Sequence, residues 1–421
     1  MNLSRAQLES IVEVLTLVLP ARAPADSQLR DYFREHRNLG VRDRALIADT
    51  VYLALRRRRA LEHVTPGGTP RQVALATLMK LQGISLSQIE SVLEADERAW
   101  LAKLKVTDLD SLPYEVRADL PDWVIERLRR TLSEEEVLEL GRGLQQAAPL
   151  DLRVNTLKAP REAVLQRFEF DNLEARATTM SPIGVRLKDK PALNQHPMFL
   201  DGAVEVQDEG SQLLGMLVEP RRGEMVVDFC AGAGGKTLQM GAAMNSSGRL
   251  YAFDVSEKRL TNLAPRLKRS GLSNVFPQRI TNENDSKVKR LRGKIDRVLV
   301  DAPCTGLGTL RRNPDLKMRQ TVEGLAELNV KQRAILAAAG SLVKPGGRLV
   351  YGTCSLLAEE NEDIVTGFLA ANPEFSIVPA KGILEKQGIT PKGIGDYLRL
   401  YPHVHDTDGF FAAVMERAAK P

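Results

Sequence analysis

The stretch Met225-Val226-Val227-Asp228-Phe229-Cys230-Ala231-Gly232-Ala233-Gly234-Gly235-Lys236-Thr237 decides how the rest of the chain is read. Its first five residues are an apolar run of strand length, and the turn that follows is rich in glycine, where backbone can come close to a ligand. Small and apolar residues then continue as a helix. Strand, glycine turn and helix is the opening unit of a doubly wound α/β domain. Downstream, Leu250 to Phe253, Arg297 to Val300 and Arg348 to Tyr351 are further apolar runs separated by helical lengths. From Gly223 onward the pattern predicts an α/β fold with a mainly parallel sheet, its ligands at the carboxyl ends of the strands.

Three ligand classes use such a loop: ATP, a dinucleotide and S-adenosylmethionine. A phosphate-binding P-loop requires glycine where Cys230 stands, which disfavours ATP. A dinucleotide fingerprint starting at Gly232 and Gly234 would need Gly or Ala where Thr237 stands, which weakens that reading. Asp254 ends the next strand, placed to accept two hydrogen bonds from a ribose diol; a merely exposed strand-end aspartate is the alternative. Contact with an adenine ring falls to Asn282 or Asp285 in Thr281-Asn282-Glu283-Asn284-Asp285, and the choice stays open.

Two cysteines stand at the ends of later strands, in Asp301-Ala302-Pro303-Cys304 and Tyr351-Gly352-Thr353-Cys354-Ser355. A lone cysteine is usually a small buried hydrophobe. Two on one ligand-binding rim point to chemistry. Carbon 5 of cytosine is a poor nucleophile, and adding a thiolate at carbon 6 places electron density on carbon 5 for attack on a methyl sulfonium. Asp301 is the carboxyl suited to stabilise ring nitrogen 3 while sulfur adds. Cys230 lacks such a pairing and reads as packing inside the loop.

The 421 residues exceed what one core serves, so more than one domain is expected. Upstream, residues 1–145 read as successive helices, with Leu46, Ile47, Val51 and Leu55 on one face. Ser133 followed by three glutamates reads as a helix start. Residues 150–220 read as a small α/β segment, and 221–421 as the catalytic domain. Glu9 and Glu13 interrupt the apolar opening, so a signal peptide does not fit. No apolar run reaches spanning length, so no membrane association is expected. Three cysteines without a CxxC pair argue against a disulfide framework or a metal site and fit a reducing cytoplasm. The formal charge is +5, with 21 Lys/Arg against 22 Asp/Glu in residues 1–150 but 16 against 5 in residues 258–319. That basic stretch, with Lys287, Lys289, Arg290, Arg292, Arg311 and Arg312, suits a phosphate-bearing partner, or else forms an ordinary solvated face. Arg56 to Arg59 read more readily as the end of a helix than as an RNA contact.

DFCAGAGGKT at 228–237, DAPCTGLGTLRRNPDLK at 301–317, YGTCSLLAEENE at 351–362 and HDTDGFF at 405–411 resemble, in order, the motifs of the bacterial 16S ribosomal RNA cytosine-5 methyltransferase B group and its Nop/Sun relatives. LRVN at 152–155 and VQDEGSQL at 206–213 extend the resemblance over roughly 150–417. Val41 to Ile47 with Tyr52 to Arg58 resembles the NusB-like RNA-binding domain of bacterial members. The resemblance implies S-adenosylmethionine as cofactor and RNA as partner, small-subunit ribosomal RNA first and transfer RNA as the alternative, for a monomer. It implies Cys354 as nucleophile and Cys304 as the group assisting product release, although DNA cytosine methyltransferases attack from the Pro-Cys position. It also implies Cys230, Ala231, Gly232, Ala233, Gly234, Gly235, Lys236 and Asp254 as cofactor contacts, Asp301 as shared by cofactor and cytosine, and Lys236 as a polar member of the reacting site. Asn282 stands where the family commonly has aspartate. RNA site selection is expected from the N-terminal helices, the segment around Arg153 and the loops near Arg311.

Overall fold

The computed structural model describes residues 3–419. Contacts divide the chain into two units, one of residues 1–147 and 309–322, the other of residues 148–308 and 323–421. Among the described residues no helix is long and apolar enough to cross a membrane.

The first unit is helical, with no strand among its described residues. Its long helices are Arg5–Val18, Ala25–Glu35 and Val41–Arg56. The apolar face read from Arg44 onward is the one buried: Ile47, Val51 and Leu55 are fully covered and pack with Leu8, Ile11, Leu15, Leu75 and Leu78. Ser133 caps the helix Glu134–Leu144, its side chain accepting from the Glu136 amide while Glu136 reaches back to the Ser133 amide. Residues 309–322 belong to this unit because of their long-range packing, which no local sequence pattern announces. Lys317 is buried and its ammonium donates to the Arg56 carbonyl at 2.8 Å, the Asp119 carbonyl at 2.9 Å and the Asp119 carboxylate at 2.6 Å. The arginine run is spent on the unit's own structure: Arg56 donates to the Arg311 carbonyl at 2.8 Å, Arg58 to that of Leu19 at 2.9 Å, and Arg59 to Asp122 at 2.5 Å.

The second unit contains two sheets. The smaller is antiparallel, made by β1 (Leu150–Val154), β2 (Ala175–Ala177), β3 (Gly184–Leu187) and β4 (Val204–Val206) in the order β2-β3-β1-β4. The larger follows with β5 (Met225–Asp228), β6 (Arg249–Asp254), β7 (Val275–Arg279), β8 (Ile295–Asp301), β9 (Val343–Thr353), β10 (Phe375–Val378), β11 (Tyr397–Leu400) and β12 (Phe410–Arg417). Its order is β10-β12-β9-β8-β5-β6-β7, with β11 also on β12. Strands β7, β6, β5, β8 and β9 are mutually parallel, and β12 pairs antiparallel with β9 on one side and β10 on the other. Alternation along each strand feeds two cores: Val226, Leu299, Val350 and Val414 face one layer, while Val227, Val300, Tyr351 and Met415 face the other. Strand order reverses between β5 and β8, which opens a crevice at their carboxyl ends.

The basic stretch 258–319 is partly structural. Arg266 and Arg269 both pair with buried Glu205, at 2.9 and 2.6 Å, and Arg297 pairs with Glu224 at 3.1 Å. Lys289, Arg290, Arg292 and Lys294 remain exposed.

The Lys317–Asp119 pair yields a stability prediction. Removing one partner of a buried pair costs about 3–5 kcal/mol because the other charge is stranded. Asp119 has φ 54, a conformation asparagine tolerates, so Asp119→Asn isolates the charge. It is expected to lower the unfolding free energy of the helical unit, read from urea titration, by that scale, whereas Glu9→Gln, in an exposed pair with Arg5, leaves it unchanged. Equal effects of the two substitutions would contradict the role given to the buried pair.

Candidate active site

The carboxyl ends of β5, β6, β8 and β9 surround a cavity of about 500 Å³. The glycine turn after β5 is fastened from both sides. The Ala231 amide donates to the Phe253 carbonyl at 2.8 Å, and the Gly232 amide donates to the Asp254 carboxylate at 2.9 Å. Arg266 donates to the Ala233 carbonyl at 2.7 Å, and Arg153 donates to the carbonyl of Gly235. Arg153, in the segment from which RNA selection is expected, is itself buried, its pKa pushed down to about 10 by that burial, and it donates to Gln207 as well as to the loop. Gly234 has φ 86, and a Cβ there would stand 2.1 Å from Leu263, so the turn admits only glycine at this point. Gly235 starts the helix Gly235–Ala243, and a Cβ on it would meet nothing, since it faces the cavity.

Ten of the residues singled out in the sequence line this one cavity: Cys230, Ala231, Gly232, Ala233, Gly235, Lys236, Asp254, Asp301, Cys304 and Cys354. Gly234 shapes the turn from behind. Asn282 and Asp285 are not among the lining residues; at that corner the wall is Ile280 and Glu283. The Asn282 side chain accepts from the Asn284 amide at 2.8 Å. Asp285 caps the next turn, accepting from the amides of Thr281 and Lys287 at 2.9 Å each, which together hold its carboxyl down at about 2. Alternation alone could not tell which residue of a five-residue loop turns inward.

The two cysteines read from strand ends come together. β8 pairs with β9 so that Asp301 lies opposite Gly352, and the Ala302 amide donates to the Gly352 carbonyl at 2.8 Å. Three residues beyond Asp301 and two beyond Gly352, Cys304 Sγ and Cys354 Sγ stand 3.4 Å apart. The hydrogen bond to Cys354 pushes the Cys304 thiol well above its ordinary pKa, aided by burial and the nearby Glu360. Burial does the same to Cys230, reinforced by the carboxylates of Asp228, Asp301 and Asp254. Lys236 donates to Asp301 at 2.8 Å, and its ammonium lies 5.7 Å from the centre of the Phe410 ring. Burial alone would lower the Lys236 pKa, but the charge of Asp301 outweighs it and holds the ammonium above its usual value.

Asp228, at the end of β5, is a member of the site that the motif reading passed over. It is buried, its Oδ2 accepts from the Thr237 hydroxyl at 2.6 Å, and its Oδ1 has no donor in hydrogen-bonding geometry. Burial pushes it up to about 7, with Asp301 adding to the rise while Thr237, Lys236 and the Cys230 amide oppose it. A carboxylate on the last residue of a fully apolar strand was the available signal. Arg259 and Glu283 also line the cavity without having been singled out.

Comparison with known proteins follows from this geometry. Residues 215–416 match the family described as 16S rRNA methyltransferase RsmB/F, and residues 120–194 match the ferredoxin-like domain of RsmF/B-like methyltransferases. A Synechocystis protein named "Probable ribosomal RNA small subunit methyltransferase B" is 35% identical over 87% of this chain and 82% of its own. The ribosomal RNA small subunit methyltransferase B of Klebsiella pneumoniae is 31% identical over 82% of this chain and 77% of its own. The crystal structure of PH0851 superposes with a TM-score of 0.82 at 28% identity, covering 99% of this chain and 100% of that one.

The raised Asp228 has a measurable consequence. Its folded-state pKa exceeds the value of about 4 expected of an unfolded aspartate, so the stability it lends is complete below that pH and is lost as pH rises through about 7. Asp228→Asn, which can still accept from Thr237, is expected to flatten this loss. Between pH 5 and pH 8 the wild-type unfolding midpoint should fall further than the variant's; parallel curves would show that Asp228 is not held protonated.

Proposed function

The chain belongs to the RsmB/F family of small-subunit ribosomal RNA methyltransferases, and from that premise we propose that it transfers a methyl group from S-adenosylmethionine to carbon 5 of a cytosine in 16S ribosomal RNA through a covalent bond to Cys354. The observation that carries this reading is the approach of the two sulfurs to 3.4 Å on the rim of a cavity that also holds the Lys236–Asp301 pair.

The residues present fit the cofactor. Gly232 and Gly235 leave open space where side chains would stand, the unpartnered Asp228 Oδ1 suits a ligand amino group, and the Asp254 carboxylate retains lone pairs for a ribose diol. Ile280 and Glu283 would flank the adenine, taking the place expected of Asn282 or Asp285. When bound, S-adenosylmethionine supplies an electrophilic methyl group.

In the proposed reaction the Cys354 thiolate adds to carbon 6, and the carbon 5–carbon 6 electron pair becomes available at carbon 5. The negative charge growing at nitrogen 3 needs a proton or a cation beside it, which the Lys236 ammonium, positioned and kept charged by Asp301, would supply. After methylation a base takes the proton from carbon 5, the double bond re-forms and the carbon–sulfur bond breaks, returning the electron pair to Cys354. Cys304, kept as a thiol by its hydrogen bond and burial, is not that base in this form, but at 3.4 Å it can give a proton to the Cys354 sulfur as the carbon–sulfur bond breaks. The place of Cys354 in the Thr353-Cys354 motif of the family is what gives it the bond to carbon 6.

Methyl transfer from a labelled donor to unmodified 16S ribosomal RNA tests the assignment. Cys354→Ala is expected to lower the rate by at least about 10³-fold, the scale lost when a covalent nucleophile is removed. Cys304→Ala should instead accumulate a protein–RNA adduct that survives denaturing electrophoresis. Identical behaviour of the two variants would refute the division of roles.

A further inference from the structure

Glu360 is fully buried in the turn Ala358–Glu360 that follows the Cys354 loop, yet it does not line the cavity. Burying a carboxylate is costly unless its oxygens are satisfied, so the groups that satisfy them say what it is for. Its Oε1 accepts from the Thr305 amide at 2.9 Å and from the Gln332 side-chain amide at 3.0 Å. Its Oε2 accepts from the Thr305 hydroxyl at 2.5 Å and from the Ser355 hydroxyl. Thr305 follows Cys304, and Ser355 follows Cys354.

The other neighbour of each cysteine is held by the same cluster. Gln332 also donates to the Pro303 carbonyl at 2.9 Å. Asn361, next to Glu360, accepts from the Thr353 hydroxyl at 2.6 Å and donates to the Ser355 carbonyl at 3.2 Å. The Glu360 carbonyl in turn accepts from the buried Tyr351 hydroxyl at 2.6 Å, which fixes the turn to β9. One carboxylate therefore joins two loops that start from different strands, and each tie falls one residue from a sulfur.

We propose that Glu360 is a positioning residue, bridging the Cys304 and Cys354 loops so that the two sulfurs meet across the same face of the cavity. This rests on the cysteine chemistry proposed above. Two thiols serving neighbouring carbons of one ring must keep a short, fixed separation, and a misplacement of about 1 Å at a reacting centre costs about 100-fold in rate. An ionised carboxylate accepts from four donors at once, and glutamine can make the same four contacts by accepting two amide hydrogens and donating to two hydroxyls. Alanine makes none.

The test reads the sulfur separation and the chemistry separately. Diamide removes two electrons and two protons from a pair of neighbouring thiols, and peptide mapping of the full-length wild type should locate the resulting disulfide between Cys304 and Cys354. Glu360→Ala is expected to slow this cross-link at least tenfold and to lower kcat by about 100-fold, with KM for RNA little changed. Glu360→Gln should restore most of both. Should Glu360→Ala fail to fold, Ser355→Ala, which releases only the Cys354 arm, is read the same way with a smaller loss. A wild-type cross-linking rate in the alanine variant, a rise in KM at unchanged kcat, or a glutamine variant as damaged as the alanine one would each overturn the proposal. Cross-linking does not depend on which sulfur attacks, so an active Cys354→Ala enzyme would defeat the covalent reading while leaving this measurement intact.

Discussion

The register of β8 against β9, with Asp301 opposite Gly352, sets where Asp301 and the loops of Cys304 and Cys354 stand relative to one another. A slip of one residue would turn the slipped strand's side chains to the wrong faces and carry Asp301 and the two cysteine loops out of alignment. The register is maintained by burial on both sheet faces: Leu299 and Val350 enter one core, Val300 and Tyr351 the other, and all four are fully covered. The hydrophobic effect thus sets the position of polar chemistry that it does not itself perform. Where the strands end, hydrogen bonds take over. The Gly308 amide donates to the Cys354 carbonyl at 2.8 Å, and a Cβ on Gly308 would lie 2.2 Å from the Gly409 carbonyl, so the three loops meet with no room for a side chain.

The second unit gathers buried charge around its crevice. Lys236 and Asp301 compensate each other, whereas Asp228 has one oxygen satisfied by Thr237 and the other without a donor. Such groups are costly in a folded interior, and their concentration beside the glycine turn marks the place where a polar ligand would repay them. Arg153 and Arg266 hold the turn's carbonyls from outside, so the cradle is rigid before any ligand arrives. Rigid donors and acceptors need no rearrangement as charge develops, the condition under which electrostatic stabilisation is strongest.

Much of this was legible in the sequence because it depends on local pattern. The run Met225 to Thr237 announced a strand, a turn and a helix, and the apolar face of Val41–Arg56 announced its buried side. Cys304 and Cys354 were legible as a pair because both follow strands that point to one rim. What escaped depends on partners far away in the chain. The run Arg56 to Arg59, read as a helix end, and Arg153 find carbonyl acceptors far along the chain that no local pattern reveals. Residues 309–322 carry basic side chains whose destination is fixed by contacts such as Lys317 with Asp119. In the loop 281–285, Asn282 and Asp285 satisfy backbone amides within the loop and Glu283 is left to face the cavity, a division set by turn geometry. Glu360, inside a motif of three acidic residues, gives no sign in sequence that it alone goes to the interior to join two loops.

The central claim is that Cys354 bonds to carbon 6 of cytosine. A ribosomal RNA substrate carrying 5-fluorocytosine tests it most directly, because fluorine at carbon 5 cannot be removed as a proton and the adduct has no way to break down. Digestion and mass spectrometry of the trapped wild-type complex should find the modified nucleotide on the peptide containing Cys354. Attachment to Cys304, or methylation without any trapped complex, would contradict the account.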